Sequence, residues 1–114
     1  MKLIVQATPP SLNKVLRMHW TAKSRLNNAW LWLVREQMTE IVTHPPVKMR
    51  CSVILAHSRP FDPDNAVGAV KPVIDALKRW GLIFDDTPEY LDLTVEQKKC
   101  KRKDVHTIIE LRAA

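Results

Sequence analysis

Apolar and polar positions along the 114-residue chain follow two periods, one near two and one near 3.6. Leu3-Ile4-Val5-Gln6-Ala7 is a short β-prone run stopped by Pro9-Pro10. Residues 11–19, with Asn13, Lys14, Arg17 and His19, read as a polar loop. Leu26, Ala29, Trp30, Leu33, Val34, Ile41 and Val42 then recur at spacings of three and four, the apolar stripe of a helix. Ser24 or Thr21 is positioned to cap its start, and Pro45-Pro46 to end it. Trp32 lies off the stripe and is expected at the surface or against a partner.

Val47, Met49, Cys51, Val53 and Leu55 alternate with Lys48, Arg50 and Ser52, the pattern of a half-buried strand that places Cys51 in the core. After the loop Ser58-Arg59-Pro60-Phe61-Asp62-Pro63-Asp64-Asn65, a second helical stripe runs through Val67, Val70, Ile74 and Leu77 and closes at Gly81. Pro72 interrupts that stripe. Either the helix kinks there, or residues 66–70 form an irregular turn and the regular helix starts near Lys71. Leu91, Leu93 and Val95 alternate with polar residues, as do Val105, Thr107, Ile109 and Leu111, with Lys101-Arg102-Lys103-Asp104 as a turn between them. Residues 91–112 are thus expected to form a β-hairpin. The order β-α-β-α-β-β predicts a single α/β (α+β) domain over residues 1–114, a small mixed β-sheet with two main helices packed on it.

Composition narrows the class. Two Gly exclude collagen-like and flexible-linker sequences, and 46% hydrophobic with 26% charged residues is the balance of a packed domain. No apolar run approaches the ~18 residues of a membrane span, and residues 1–6 carry neither a long apolar core nor a small-residue cleavage site. Cys51 and Cys100 form no CxxC pair, so neither a zinc site nor a disulfide framework is expected. The expectation is a cytoplasmic protein without a membrane partner.

Charge is unevenly distributed. The net charge is +7 over residues 1–61, −4 over 62–92 and +3 over 93–114, giving +6 in all. Basic surface attracts polyanions, whereas carboxylates repel phosphate unless a cation stands between them. An acidic island in a basic chain therefore suggests metal-assisted chemistry on a nucleic-acid backbone, the plainer alternative being one solvated acidic loop. Pro63 favours an extended Asp62, and residues two apart in an extended segment face the same way, so Asp62 and Asp64 could converge on one cation. The plainer reading makes Asp64 an N-cap and Asp62 a turn residue. Asp85 and Asp86 follow the apolar Leu82-Ile83-Phe84. One of them is expected at the site and the other as its support. Oxygen-only ligands suit Mg²⁺, with Mn²⁺ as a substitute. Lys71, seven residues after Asp64, falls on nearly the same helical face, where it could meet a phosphate or simply pair with Asp75.

Asp62-Pro63-Asp64-Asn65, Lys71-Pro72-Val73-Ile74-Asp75-Ala76-Leu77 and Gly81-Leu82-Ile83-Phe84-Asp85-Asp86, with the opening Pro9-Pro10-Ser11-Leu12-Asn13, resemble the RusA-type Holliday-junction resolvase family. The resemblance spans residues 3 to about 112. It implies a homodimeric, Mg²⁺-dependent endodeoxyribonuclease that cuts four-way DNA junctions by symmetric paired nicks. By motif it implies Asp62, Asp64 and Asp86 as metal ligands and Lys71 as the catalytic lysine. In the family pattern that lysine follows the second aspartate by four residues. Gly68 stands there in this chain, so Lys71 implies a three-residue insertion, nearly one helical turn. Lys14, Arg17, Lys23, Arg25, Arg59, Lys101, Arg102 and Lys103 are candidate DNA contacts. Phe61 is a candidate for stacking on an unpaired base or for core packing, and the four Trp are mostly core candidates. His19, His44, His57 and His106 have no metal-ligand spacing. A catalytically silent DNA-binding module and an Mg²⁺-dependent hydrolase of free nucleotides are the alternatives.

Overall fold

The computed structural model describes residues 1–41 and 46–114. Its elements are β1 (Lys2–Val5), α1 (Leu12–Leu16), α2 (Trp20–Gln37), β2 (Met49–His57), α3 (Pro63–Ala69), α4 (Lys71–Arg79), β3 (Leu91–Lys99), a 3₁₀ turn (Arg102–Asp104) and β4 (His106–Ala113). They form the expected mixed α+β architecture, one four-stranded sheet of order β1-β4-β2-β3 with helices packed on it. β2 pairs with β3 in parallel and with β4 antiparallel, and β1 closes the other edge antiparallel to β4.

The central place of β2 follows from its residues. Cys51, Val53, Leu55 and Ala56 are fully buried, so the strand needs cover and partners on both sides. The inward side chains of β1 and β4 (Leu3, Val5, Ile109 and Leu111) join those of β2 against Trp30 and Val34 of α2 and Val73, Ile74 and Leu77 of α4. Each fully buried Leu or Val contributes about 1.5–3 kcal/mol relative to exposure. Burial also pushes the Cys51 thiol up to about 12, which keeps it an inert packing group.

Four local expectations are corrected. First, residues 91–112 do not form a hairpin, because β2 lies between β3 and β4. The connecting Lys-Arg-Lys-Asp lacks the Asn-Gly or Gly chemistry of a tight hairpin. Residues 100–105 instead cross the end of β2, where the Cys100 N–H donates to the His57 carbonyl at 3.1 Å. Second, residues 11–19 are not all loop. Ser11 Oγ accepts from the Lys14 N–H at 3.3 Å and starts α1. Third, α2 begins at Trp20, capped by His19 Nδ1 accepting from the Thr21 N–H, rather than by Thr21 or Ser24. It ends at Gln37, where Met38 turns extended and buries its side chain. Ile41 is 75% exposed and so not part of the buried stripe, while Val42, His44 and Pro45 lie outside the described residues.

The fourth correction concerns Pro72. Residues 63–69 are helical rather than an irregular turn, and the axis breaks at Val70 (φ −83°, ψ −2°) so that a second helix starts at Lys71. Pro63 and Pro72 each fall in the first turn of a helix, where the missing N–H costs no intrahelical bond. α4 closes at Gly81 (φ 77°), the left-handed residue that lets the Leu82 N–H reach the Leu77 carbonyl at 2.9 Å. This turn sends Leu82 and Ile83 into the core and brings the chain out again at Asp85-Asp86. No helix among the described residues is long and apolar enough to cross a membrane.

Candidate active site

The start of α3 is held from behind by a polar clamp. Gln97 of β3 pairs with the backbone of Phe61: its Oε1 accepts from the Phe61 N–H at 2.7 Å and its Nε2 donates to the Phe61 carbonyl at 2.9 Å. That fixes the amide orientation, so His57 Nε2, 2.9 Å from the same Oε1, must be the donor of its bond. His57 is 5% exposed and packs edge-on against the Phe61 ring at 4.5 Å. Phe61 is thus a half-buried packing residue, the second of the two roles expected of it. It directly precedes Asp62.

Asp62 is extended (φ −59°, ψ 148°) and occupies the N-cap of α3. Its carbonyl accepts the first helical bond, from the Ala66 N–H at 3.0 Å, while its side chain makes no capping bond. Asp64 lies in the first helical turn rather than in an extended segment, so the alternation expected to align the two carboxylates does not operate. Both are exposed, and neither is in an ion pair among the described residues. The following Asn65 faces inward, its Oδ1 accepting from the Asn13 N–H at 3.1 Å. The N-terminal motif and the Asp-x-Asp-Asn motif are therefore joined by a direct bond.

Gly68 belongs to the same junction. A Cβ there would lie 2.6 Å from Leu12 Cδ2 and 2.8 Å from Leu12 Cβ. Helix α1 packs that closely on α3, so a lysine at position 68 would have to displace α1. Lys71, one turn further on, is 72% exposed and pairs with Asp75 at 3.7 Å, the plainer partner expected for it. Such an exposed pair contributes only ~0.2–0.5 kcal/mol.

Asp85 and Asp86 have different surroundings. Asp85 Oδ1 accepts from the Asp86 N–H at 2.8 Å and lies 3.0 Å from Lys78 Nζ. The Lys78 hydrogen bond, followed by that of the Asp86 amide, holds the Asp85 carboxyl below its ordinary value. Asp85 in turn raises Lys78. Asp86 is left exposed, on the wall of a groove of about 310 Å³ that it shares with Lys71, Asp75 and Val67, the last of these one turn along α3 from Asp64.

The structure does not gather the three expected ligands into one cage. Among the described residues, no three His, Cys, Asp or Glu side chains are close enough to hold one ion. The donor chemistry still fits a hard divalent cation, because exposed, unpaired carboxylates are what such an ion takes. Mg²⁺ uses one or two carboxylates and completes its shell with water and substrate oxygens. Asp62 and Asp64 are the exposed, unpaired carboxylates at the start of α3, and Asp86 lies on the groove wall it shares with Lys71.

Lys14 and Arg59 line a groove of about 470 Å³ together with Pro10, Met18, Phe61 and Val105. Arg17, Arg25, Lys101, Arg102 and Lys103 are exposed and Lys23 is half-buried, with no ion pair to any of them among the described residues. Sequence reasoning missed Gln97 and His57. The signal was present: each is the polar residue that continues the inward phase of its strand, after Leu91, Leu93 and Val95 in β3 and after Cys51, Val53 and Leu55 in β2. Trp32 is 53% exposed, as its place off the helical stripe predicts, whereas Trp20, counted among the core candidates, is 72% exposed. Compared with family models and with curated proteins, the sequence finds no match.

Proposed function

We propose that this chain is a divalent-metal-dependent endodeoxyribonuclease that acts on branched DNA as a homodimer. The observation that carries the reading is the meeting of sequence segments far apart in the chain. Asn13 bonds Asn65, Leu12 closes on Gly68, and Lys71 and Asp86 share one groove beside α3, whose start bears Asp62 and Asp64. A bare acidic loop would need no such assembly.

Mg²⁺ bound by Asp62 and Asp64 would supply an activated water and polarise a phosphate oxygen. The residues of the chain do the rest. The Gln97 clamp holds the backbone before Asp62, so the carboxylates keep their place when the ion arrives. Lys71 exchanges its weak pairing with Asp75 for the phosphate, where its charge counts against the developing negative charge. Lys14 and Arg59 hold the backbone in the adjacent groove. Two-fold symmetry would give two such sites to two symmetry-related strands.

The test is a gel. A labelled four-way junction and a linear duplex of matching sequence are incubated with the protein, with and without Mg²⁺. The expected result is paired nicks in the junction alone, dependent on the ion and abolished in Asp64→Asn while junction binding persists. Binding without nicking under any divalent ion would leave a silent DNA-binding module. Turnover of free nucleotides without junction cutting would leave a nucleotide hydrolase.

A further inference from the structure

Two of the exposed large apolar side chains lie within the basic segment of residues 11–25. Trp20, the first residue of α2, is 72% exposed, and Leu16, the last of α1, is 65% exposed. Leaving an indole in water forgoes a stabilisation of about 1.5–3 kcal/mol or more, which a partner covering it would recover. The surroundings identify the partner's chemistry. Residues 11–25 contain Lys14, Arg17, Lys23 and Arg25 and no acidic residue. The His19 ring leans on the indole, with centroids 5.6 Å apart and planes at 38°, bracing its orientation. The patch continues the basic groove, since Met18, two residues before Trp20, lines it with Lys14 and Arg59.

We propose that Trp20 is a stacking platform for an unpaired base of the bound nucleic acid, with Arg17 and Lys23 holding the phosphates on either side. The inference rests on the nucleic-acid reading above and extends it to a recognition element. An aromatic face with cations interleaved along its own segment suits a π-faced, polyanionic ligand. Every base offers such a face once it leaves the duplex, as bases at a branch point do. A second copy of this chain is the poorer fit, because two like-charged patches of +4 would meet across two apolar side chains.

The experiment measures anisotropy of a labelled oligo(dT) strand and of a fully paired duplex of the same length, with EDTA present so that binding is read without cleavage. The protein is the full chain as wild type, Trp20→Ala and Trp20→Phe. The expected result is single-strand affinity reduced roughly five- to 100-fold in Trp20→Ala, the range of one lost base stack. Duplex affinity should change less than about two-fold, and Trp20→Phe should keep most of the single-strand binding. Matching urea midpoints for the three proteins establish that the exposed substitutions leave the fold intact.

Equal single-strand affinity of wild type and Trp20→Ala would overturn the proposal and leave the nucleic-acid reading standing. So would equal losses on both ligands, or a sedimentation shift in Trp20→Ala that marks the patch as a contact between copies. If wild type binds neither ligand but associates with anionic vesicles, both readings fail together.

Discussion

Replacing Gln97 with Leu removes three hydrogen bonds at one stroke: those to the Phe61 N–H, the Phe61 carbonyl and His57 Nε2, at 2.7, 2.9 and 2.9 Å. The net contribution of each is about 0.5–1.5 kcal/mol, and a buried donor left without an acceptor costs about 1–3 kcal/mol. His57 is 5% exposed and cannot turn to water, so its N–H carries the larger figure. Leu recovers some apolar burial in the inward phase of β3, which brings the total to about 2–4 kcal/mol. With a urea slope of about 2 kcal/mol per molar, the unfolding midpoint should fall by roughly 1–2 M. Gln97→Glu keeps the acceptor for the Phe61 N–H and His57 but sets a carboxylate oxygen against the Phe61 carbonyl, so it should destabilise as well. A Gln97→Leu loss below about 0.5 kcal/mol would refute the clamp as the element that fixes the backbone before Asp62.

Two further consequences concern the same region. Gly68→Ala should destabilise by about 1–3 kcal/mol by forcing α1 off α3, despite alanine's better helix propensity. Adding Leu12→Ala should restore part of the loss in a double-mutant cycle read by urea unfolding. The Lys78–Asp85 pair sets a pH window. Because the folded carboxyl is held below its ordinary value, its contribution is present above about pH 4 and is lost as pH falls through the lowered folded value. The stability gap between wild type and Lys78→Gln should therefore be constant near neutrality and close in acid. A gap that does not narrow on acidification would contradict the pairing.

Much of the fold was legible because period-two and period-3.6 signals report directly on which side of an element is buried. Met49, Cys51, Val53 and Leu55 alternate without a break, and each is in the core. What periodicity does not carry is pairing. The alternations of β3 and β4 are equally compatible with a hairpin and with β2 inserted between them, and only the need of β2 for two partners decides. The early end of α2 was hidden because Met38 continues the apolar stripe as a side chain while its backbone has already left the helix. That Asp85 and Asp86 would face different surroundings was legible from their adjacency. The arrangement of Asp62 and Asp64 was not, because Pro63 serves both an extended segment and a first helical turn, and the helix prevailed. Gly68 is meaningful only once α1 is known to lie against it.

Divalent-ion binding at the start of α3 is measured most directly by titrating Mn²⁺ into the protein and following the free-ion signal by electron paramagnetic resonance. Wild type and Asp92→Asn, whose carboxylate pairs with Arg50 at 3.6 Å on another part of the molecule, should take up the ion alike. Asp62→Asn and Asp64→Asn should each lose that uptake. No uptake by wild type, or uptake undiminished in both Asp62→Asn and Asp64→Asn, would contradict the assignment of these carboxylates as the metal site.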